Sequence, residues 1–284
     1  MEKYVVLYNP NSGNGLGAKA AEELKGKLPD CALRFENITA VKDYAEFFAS
    51  LTDEKPIIVG GDGTINHLVN HYDCDHTETD IYYYPAGTGN DFLTDIKTEE
   101  TTLPLLLNPY IKNLPVVTVK GVNYKVLNGI GFGIDGYCCE VGDQLRQTST
   151  KPVNYAGIAI KGLLFHFKPV NAKIVVDGVE HNYRKCWLAP TMNGRFYGGG
   201  MNATPAQDRS DPKRTLSTLI FHGSGKLKTL MIFPNIFKGT HVEHKDNVEV
   251  LTGHDITVTF DKPVAAQVDG ETILAVTEYH ITKN

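Results

Sequence analysis

The 284-residue chain has no surplus of positive charge. It carries 28 Lys and Arg against 33 Asp and Glu, a formal net charge of −5. That excludes a general nucleic-acid binder, which works through a basic field. The chain also has no apolar run long enough to span a bilayer. Its longest weakly charged stretch, residues 153–167, carries Lys161 and falls short of the roughly 20 residues a spanning helix needs. Any membrane work is therefore expected from the surface. The opening MEKYVVLYNP is not a signal peptide, because an acid stands at Glu2 and Pro10 closes a short apolar run. No CxxC occurs, and Cys31, Cys74, Cys138, Cys139 and Cys186 are odd in number. A reduced, cytoplasmic compartment fits that pattern best. Two familiar nucleotide signatures are missing as well. There is no GxxxxGK[ST], and no GxGxxG follows the first strand.

What is present suits a folded core. Apolar residues make up 42 % and charged residues 21 %, in a length for one large or two ordinary domains. The first third alternates strands and helices. Strands are expected over 3–8, 32–35, 56–59 and 80–84. Ala21, Leu24 and Leu28 mark one helix, closed off by Pro29. Tyr44, Phe47, Phe48 and Leu51 mark a second, with Thr39 as its expected cap, and Ile65, Leu68, Val69 and Tyr72 a third. That rhythm implies parallel crossovers and a sheet covered on both faces. Beyond residue 115 runs of period two dominate, over 173–176, 179–183, 247–251, 256–260 and 272–281. Asp177-Gly178 and Asp269-Gly270 read as the turns of hairpins between them. The expected fold class is α/β: a Rossmann-like parallel-sheet nucleotide domain over 1–118, then a mostly antiparallel β-sandwich domain over 119–284. One helix interrupts the second half at 154–167. It reads chiefly as a buried helix, with a lipid entrance or bilayer contact as the alternative.

Three glycine-rich loops directly follow predicted strands: Asn9-Pro10-Asn11-Ser12-Gly13, Gly60-Gly61-Asp62-Gly63-Thr64 and Pro85-Ala86-Gly87-Thr88-Gly89-Asn90-Asp91. In parallel α/β sheets ligands bind beyond the carboxyl ends of the strands, where three such loops would converge. Glycine lets the backbone approach phosphate oxygens closely. A helix starting near Thr64 would add free N–H groups and a positive dipole end. Asp62 makes sense there chiefly as a ligand to Mg²⁺, or else as an acceptor for turn amides.

The motifs NPNSG, GGDGT and PAGTGNDF, in this order and spacing, resemble the diacylglycerol kinase catalytic domain shared by bacterial lipid kinases and sphingosine kinases. The resemblance extends through NGIGFGIDG (128–136), NGRFYGGGM (193–201) and QVDGE (267–271), almost the whole chain. It implies an enzyme of lipid metabolism and phospholipid biosynthesis, with ATP and Mg²⁺ as cofactors. The γ-phosphate would pass to the hydroxyl of diacylglycerol or a similar lipid at the membrane surface. No nucleic-acid partner or transmembrane segment is implied, and a homodimer is compatible with it. The enzyme would be cytoplasmic or peripheral to the membrane.

Carried over by residue, Asn9, Asn11, Ser12, Gly13, Gly60, Gly61, Asp62, Gly63, Thr64, Gly87, Thr88, Gly89 and Asn90 would line the nucleotide site. Asp62 would organise the metal. Asp135 matches a family Asp near the acceptor hydroxyl. Asp269 and Glu271 match a terminal acidic pair, with Glu271 the first choice as general base. A hydroxyl acceptor needs such a carboxylate, while the rest of the site positions phosphate and neutralises its charge.

One departure stands out. The family commonly carries an acidic DGxLD stretch linked to metal binding. Here 207–214 reads Gln207-Asp208-Arg209-Ser210-Asp211-Pro212-Lys213-Arg214. Asp211 remains as a candidate metal ligand, but the local excess is basic. His67 and His71, with Cys74 and His76, could suit a transition metal, yet read better as the polar face of a surface helix. Two other readings stand beside the lipid kinase. One is an NAD kinase-like phosphotransferase with a soluble substrate, using the same GGDGT logic. The other is a non-catalytic relative that binds nucleotide or lipid.

Overall fold

The computed structural model describes residues 1–86, 90–148 and 153–283. It divides into two compact units, Met1–Leu114 and Pro115–Asn284.

In the first unit the elements run β1 (Lys3–Tyr8), a single turn α1 (Ser12–Gly15), α2 (Gly17–Lys27), β2 (Ala32–Asn37), α3 (Tyr44–Ala49), β3 (Glu54–Gly60), α4 (Asp62–His71), β4 (Tyr82–Pro85), α5 (Asp91–Ile96), β5 (Leu105–Leu106) and α6 (Asn108–Ile111). The sheet order is β2-β1-β3-β4-β5. The first four strands are parallel and β5 is antiparallel. Alternation explains the two-sided burial. Tyr4, Val6, Ile57 and Val59 share a core with Ala21 and Leu24 of α2. Val5, Leu7 and Ile58 fall one residue out of phase, and they are fully buried, as are Ile65 and Leu68 of α4. Side chains of this kind contribute about 1.5–3 kcal/mol each when buried.

The expected cap of α3 is wrong. Thr39 lies in a short 3₁₀ turn, Ile38–Ala40, where Asn37 Oδ1 accepts from its N–H. The helix is capped by Asp43, whose carboxylate accepts from Glu46 N at 3.0 Å. Asp43 sits three residues before the amide it must reach, the usual distance for an N-cap.

The second unit comprises β6 (Val116–Val119), β7 (Val122–Lys125), β8 (Gly129–Phe132), α7 (Ile134–Thr148), α8 (Tyr155–Lys161), a π turn (Gly162–His166), β9 (Val170–Val176), β10 (Val179–Cys186), β11 (Thr191–Met192), β12 (Phe196–Tyr197), β13 (Met201–Asn202), β14 (Leu216–Phe221), α9 (Lys226–Ile232), a 3₁₀ helix (Phe233–Lys238), β15 (Val248–Gly253), β16 (Asp255–Val268) and β17 (Glu271–Thr282). Among the described residues ten strands form one sheet, with antiparallel pairing throughout. β16 bends the sheet over its core. Its first half pairs with β9, its last three residues pair with β8, and register shifts lie between. Phe132 stacks on Phe260 at a centroid distance of 3.9 Å inside. Both Asp-Gly pairs are tight hairpin turns with positive φ at each residue.

A second core gathers α7, α8, the π turn and the segment from α9 onward around Trp187. The segment 154–167 is not buried all round, as its composition suggested. Ile158, Leu163 and Phe167 are buried, whereas Ile160 and Phe165 are 50 % and 72 % exposed.

Candidate active site

The first two strand-end loops of the first unit meet through side chains. β1 and β3 are adjacent parallel strands, so Asn9 and Gly60 emerge at the same edge. Asn9 Nδ2 donates to Thr64 Oγ1 at 3.3 Å, and Ser12 Oγ lies 3.2 Å from the same oxygen. Asn9 also shapes its own loop, its Oδ1 accepting from Asn11 N at 3.0 Å. Gly13 follows in the left-handed region at φ 60°. Gly60 must be glycine, because a Cβ there would come within 2.3 Å of Thr64 Oγ1. The third loop is tied to the second by Ala86 N, which donates to Gly60 O at 2.8 Å.

Tyr83 completes the junction. Its hydroxyl donates to Gly60 O at 3.0 Å and lies 3.4 Å from Asn90 Oδ1. Residues 87–89 fall outside the described residues, so Gly87, Thr88 and Gly89 have no placement. Tyr83 was not foreseen. Its phase in YYYP gives only that it faces away from Tyr82 and Tyr84.

The helix at this edge begins two residues earlier than expected. α4 opens on Asp62 with Gly61 as its cap residue and no side-chain cap bond. Asp62 therefore occupies the positive end of the helix, where a carboxylate is favourable. Its Oδ2 accepts from Phe92 N at 3.2 Å, at the start of α5. Gly63 beside it is exposed, and Asn9, Ser12, Gly61 and Asp62 are part-exposed, so this edge is open to a ligand. Asp62 is part-exposed as a residue while its Oδ1 is buried; one carboxylate beside these turns suits Mg²⁺, which takes one or two carboxylates and completes its shell with phosphate and water.

Asp211 does not fit that role. Its Oδ1 accepts from Lys213 N at 2.9 Å and its Oδ2 from Thr215 Oγ1 at 3.4 Å, while Asp208 Oδ1 accepts from Ser210 N. The two acids fold their own turns. Lys283 supplies positive charge nearby: its buried ammonium donates to Asn193 Oδ1 at 2.8 Å and to Arg209 O at 3.3 Å. Burial first, then Arg214 and Arg209, push its pKa down to about 8. Among the described residues no three His, Cys, Asp or Glu side chains gather to hold a metal. His71 bonds the His67 carbonyl and His76 pairs with Asp73.

In the second unit Asp269 is a structural acceptor. Its Oδ2 takes Leu127 N at 2.6 Å, and its Oδ1 takes Asn128 N at 2.8 Å and Gly129 N at 3.0 Å. Burial pushes its pKa up, while the three amides and Arg209 pull it back. Glu271, two residues on, is exposed at the first position of β17.

Asp135 lies in the first turn of α7 and is buried. Its Oδ1 accepts from Gly136 N at 2.9 Å, and its Oδ2 has no hydrogen-bond partner. Gly131 makes room for it, since a Cβ there would lie 1.9 Å from Oδ2. The buried Tyr197 hydroxyl stands within electrostatic reach but outside ordinary hydrogen-bond geometry, itself unpartnered. Tyr197 was not foreseen at this site, although it lies inside a motif that carried the resemblance. Burial raises the Asp135 pKa to about 6.

The folded state therefore holds this proton more tightly than the unfolded chain. Stability falls as pH rises from the ordinary carboxylate value, 3.8, through about 6, and the full cost applies above that. Asp135→Asn is expected to stabilise the protein at pH 8 by about 1–3 kcal/mol and to change little at pH 4. Thermal midpoints at the two pH values check this. An equal shift at both would refute the buried, uncompensated charge.

Comparison with known proteins agrees with this architecture. Residues 3–117 match the diacylglycerol kinase catalytic domain, and residues 128–280 match the YegS C-terminal NAD kinase beta sandwich-like domain. A diacylglycerol kinase of Mycobacterium tuberculosis is 26 % identical over 253 residues, covering 85 % of this chain and 80 % of that protein. The crystal structure of a diacylglycerol kinase from Bacillus anthracis superposes with a TM-score of 0.60 at 17 % identity, over 99 % of this chain and 94 % of that one. With both domains matched in order, the chain belongs to the family in which a diacylglycerol kinase catalytic domain is followed by a YegS-type C-terminal domain.

Proposed function

We propose that this protein is a lipid kinase that transfers the γ-phosphate of ATP to the hydroxyl of diacylglycerol or a similar lipid, with Mg²⁺. The observation that supports the reading is the meeting of the Asn9–Gly13 and Gly60–Thr64 turns at one sheet edge, beside the carboxylate that opens α4 and accepts from Phe92 N. The first unit would take the nucleotide, with Asn9, Ser12, Gly61, Thr64 and Asn90 against its phosphates. Asp62 would hold the metal, whose charge would offset that of the phosphates.

The second unit would present the acceptor. Glu271 is exposed and would act as the general base, with the Asp269-Gly270 turn setting its position. Asp135 changes charge near pH 6. A role beside the acceptor hydroxyl would therefore give activity an acid limb near that pH.

The direct test is incubation of purified protein with γ-labelled ATP, Mg²⁺ and mixed micelles of diacylglycerol, phosphatidylglycerol, ceramide or a long-chain base. Label is expected in one of these lipids. Label in NAD, with none in any lipid, would assign the chain to the soluble-substrate alternative. Nucleotide binding with no transfer to any acceptor would mark a non-catalytic relative.

A further inference from the structure

We infer that α9 and the π turn of the second unit form a docking surface for an anionic lipid bilayer. The surface goes beyond the kinase reading, and binding alone can test it. Four large apolar side chains stand out from it. Phe165 at the π turn is 72 % exposed, Leu227 and Met231 on α9 are 76 % and 71 % exposed, and Ile160 on α8 is 50 % exposed. Leu227 and Met231 are four residues apart and so share one helical face, while Thr229 and Ile232 turn inward. The two elements are held together: Lys226 Nζ donates to Leu164 O at 2.7 Å, and Leu163 and Ile232 lie in one core. Two residues apart on the π turn, Leu163 is buried while Phe165 faces solvent.

Charge identifies the occupant. The chain as a whole is acidic, yet residues 154–168 and 223–241 contain no Asp or Glu. They carry Lys161, Lys168, Lys226, Lys228 and Lys238, all exposed. Apolar tips ringed by lysines match the boundary of a membrane. There, aromatic and aliphatic groups enter the acyl region while ammonium groups remain among anionic head groups. The long lysine stems can cover apolar surface while their charges stay in water. A protein partner would also bury the apolar tips, but it would not call for two segments that carry five exposed lysines and no acid.

The test uses the full chain and vesicles of phosphatidylcholine with or without phosphatidylglycerol, read by flotation at low and raised salt. Wild type is expected to float with the anionic vesicles and to lose much of that binding at raised salt. The triple variant Phe165→Gln, Leu227→Gln, Met231→Gln is expected to bind about 10-fold or more weakly. Its circular dichroism should be unchanged, because the residues are exposed. If that variant fails to fold, Lys161→Glu with Lys228→Glu should give the same loss through charge alone. Equal flotation of wild type and either folded variant would overturn the proposal. So would failure of wild type to bind anionic vesicles. Sedimentation showing a dimer that the triple variant dissolves would reassign the surface to a second copy of the chain.

Discussion

Asp62→Asn is expected to lower phosphoryl transfer by about 10³-fold while leaving the fold intact. The size follows from the proposed role. A divalent cation on transferring phosphate supplies several kcal/mol of charge stabilisation, and each 1.36 kcal/mol is a factor of ten in rate. Asn keeps an oxygen that can accept from Phe92 N, the contact seen at 3.2 Å. What it removes is the negative charge at the start of α4, worth about 0.3–1 kcal/mol to the helix. The thermal midpoint should therefore move little. Calorimetry separates the roles without needing the acceptor: ATP binding by wild type should strengthen with Mg²⁺, and that dependence should vanish in the variant. Transfer and Mg²⁺ dependence both near wild type, in a folded variant, would leave Asp62 as a charge at the start of α4 and an acceptor for Phe92 N, and nothing more.

Much of the first unit was legible because period and turn chemistry agreed. Ile65, Leu68 and Val69 announce α4, and all three are buried. GGDGT after a strand announces a helix start, expected near Thr64 and found two residues earlier at Asp62. The convergence of the loops follows from parallel order alone, since β1, β3 and β4 are neighbours. What sequence could not carry were bonds between distant residues. Nothing in YYYP says that the Tyr83 hydroxyl will reach Gly60, and nothing in QVDGE says that Asp269 will hold amides about 140 positions away. Asp211 looked like a metal ligand because acids in a loop resemble a site. Its oxygens are taken by a turn amide and a hydroxyl of its own segment. The segment 154–167 misled in another way. Its composition is apolar on every side, but the packing of Ile158, Leu163 and Phe167 into the core leaves Ile160 and Phe165 in water, and composition does not report which side packs.

Asp269→Ala should lower the thermal midpoint of the second unit by about 10 °C. The carboxylate is the shared acceptor for the amides of Leu127, Asn128 and Gly129, which lead into β8. Each buried donor left unmet costs about 1–3 kcal/mol, and the three are not additive, so about 3–5 kcal/mol is expected in all. Asp269 also sits at φ 45°, a conformation Asp and Asn tolerate better than Ala. For a unit of this size each kcal/mol moves the midpoint by about 2–4 °C. Trp187, the chain's one tryptophan, is buried in this unit, so its fluorescence reports unfolding here. Asp269→Asn separates the two causes. It keeps the turn conformation and one acceptor oxygen, but sets an amide NH₂ against the Leu127 N–H, so its midpoint should fall between wild type and Ala. A midpoint for Ala within about 1 °C of wild type would mean that the three amides find other partners. Asp269 would then be free for chemistry beside Glu271, and the rigid turn proposed to position that base would lose its anchor.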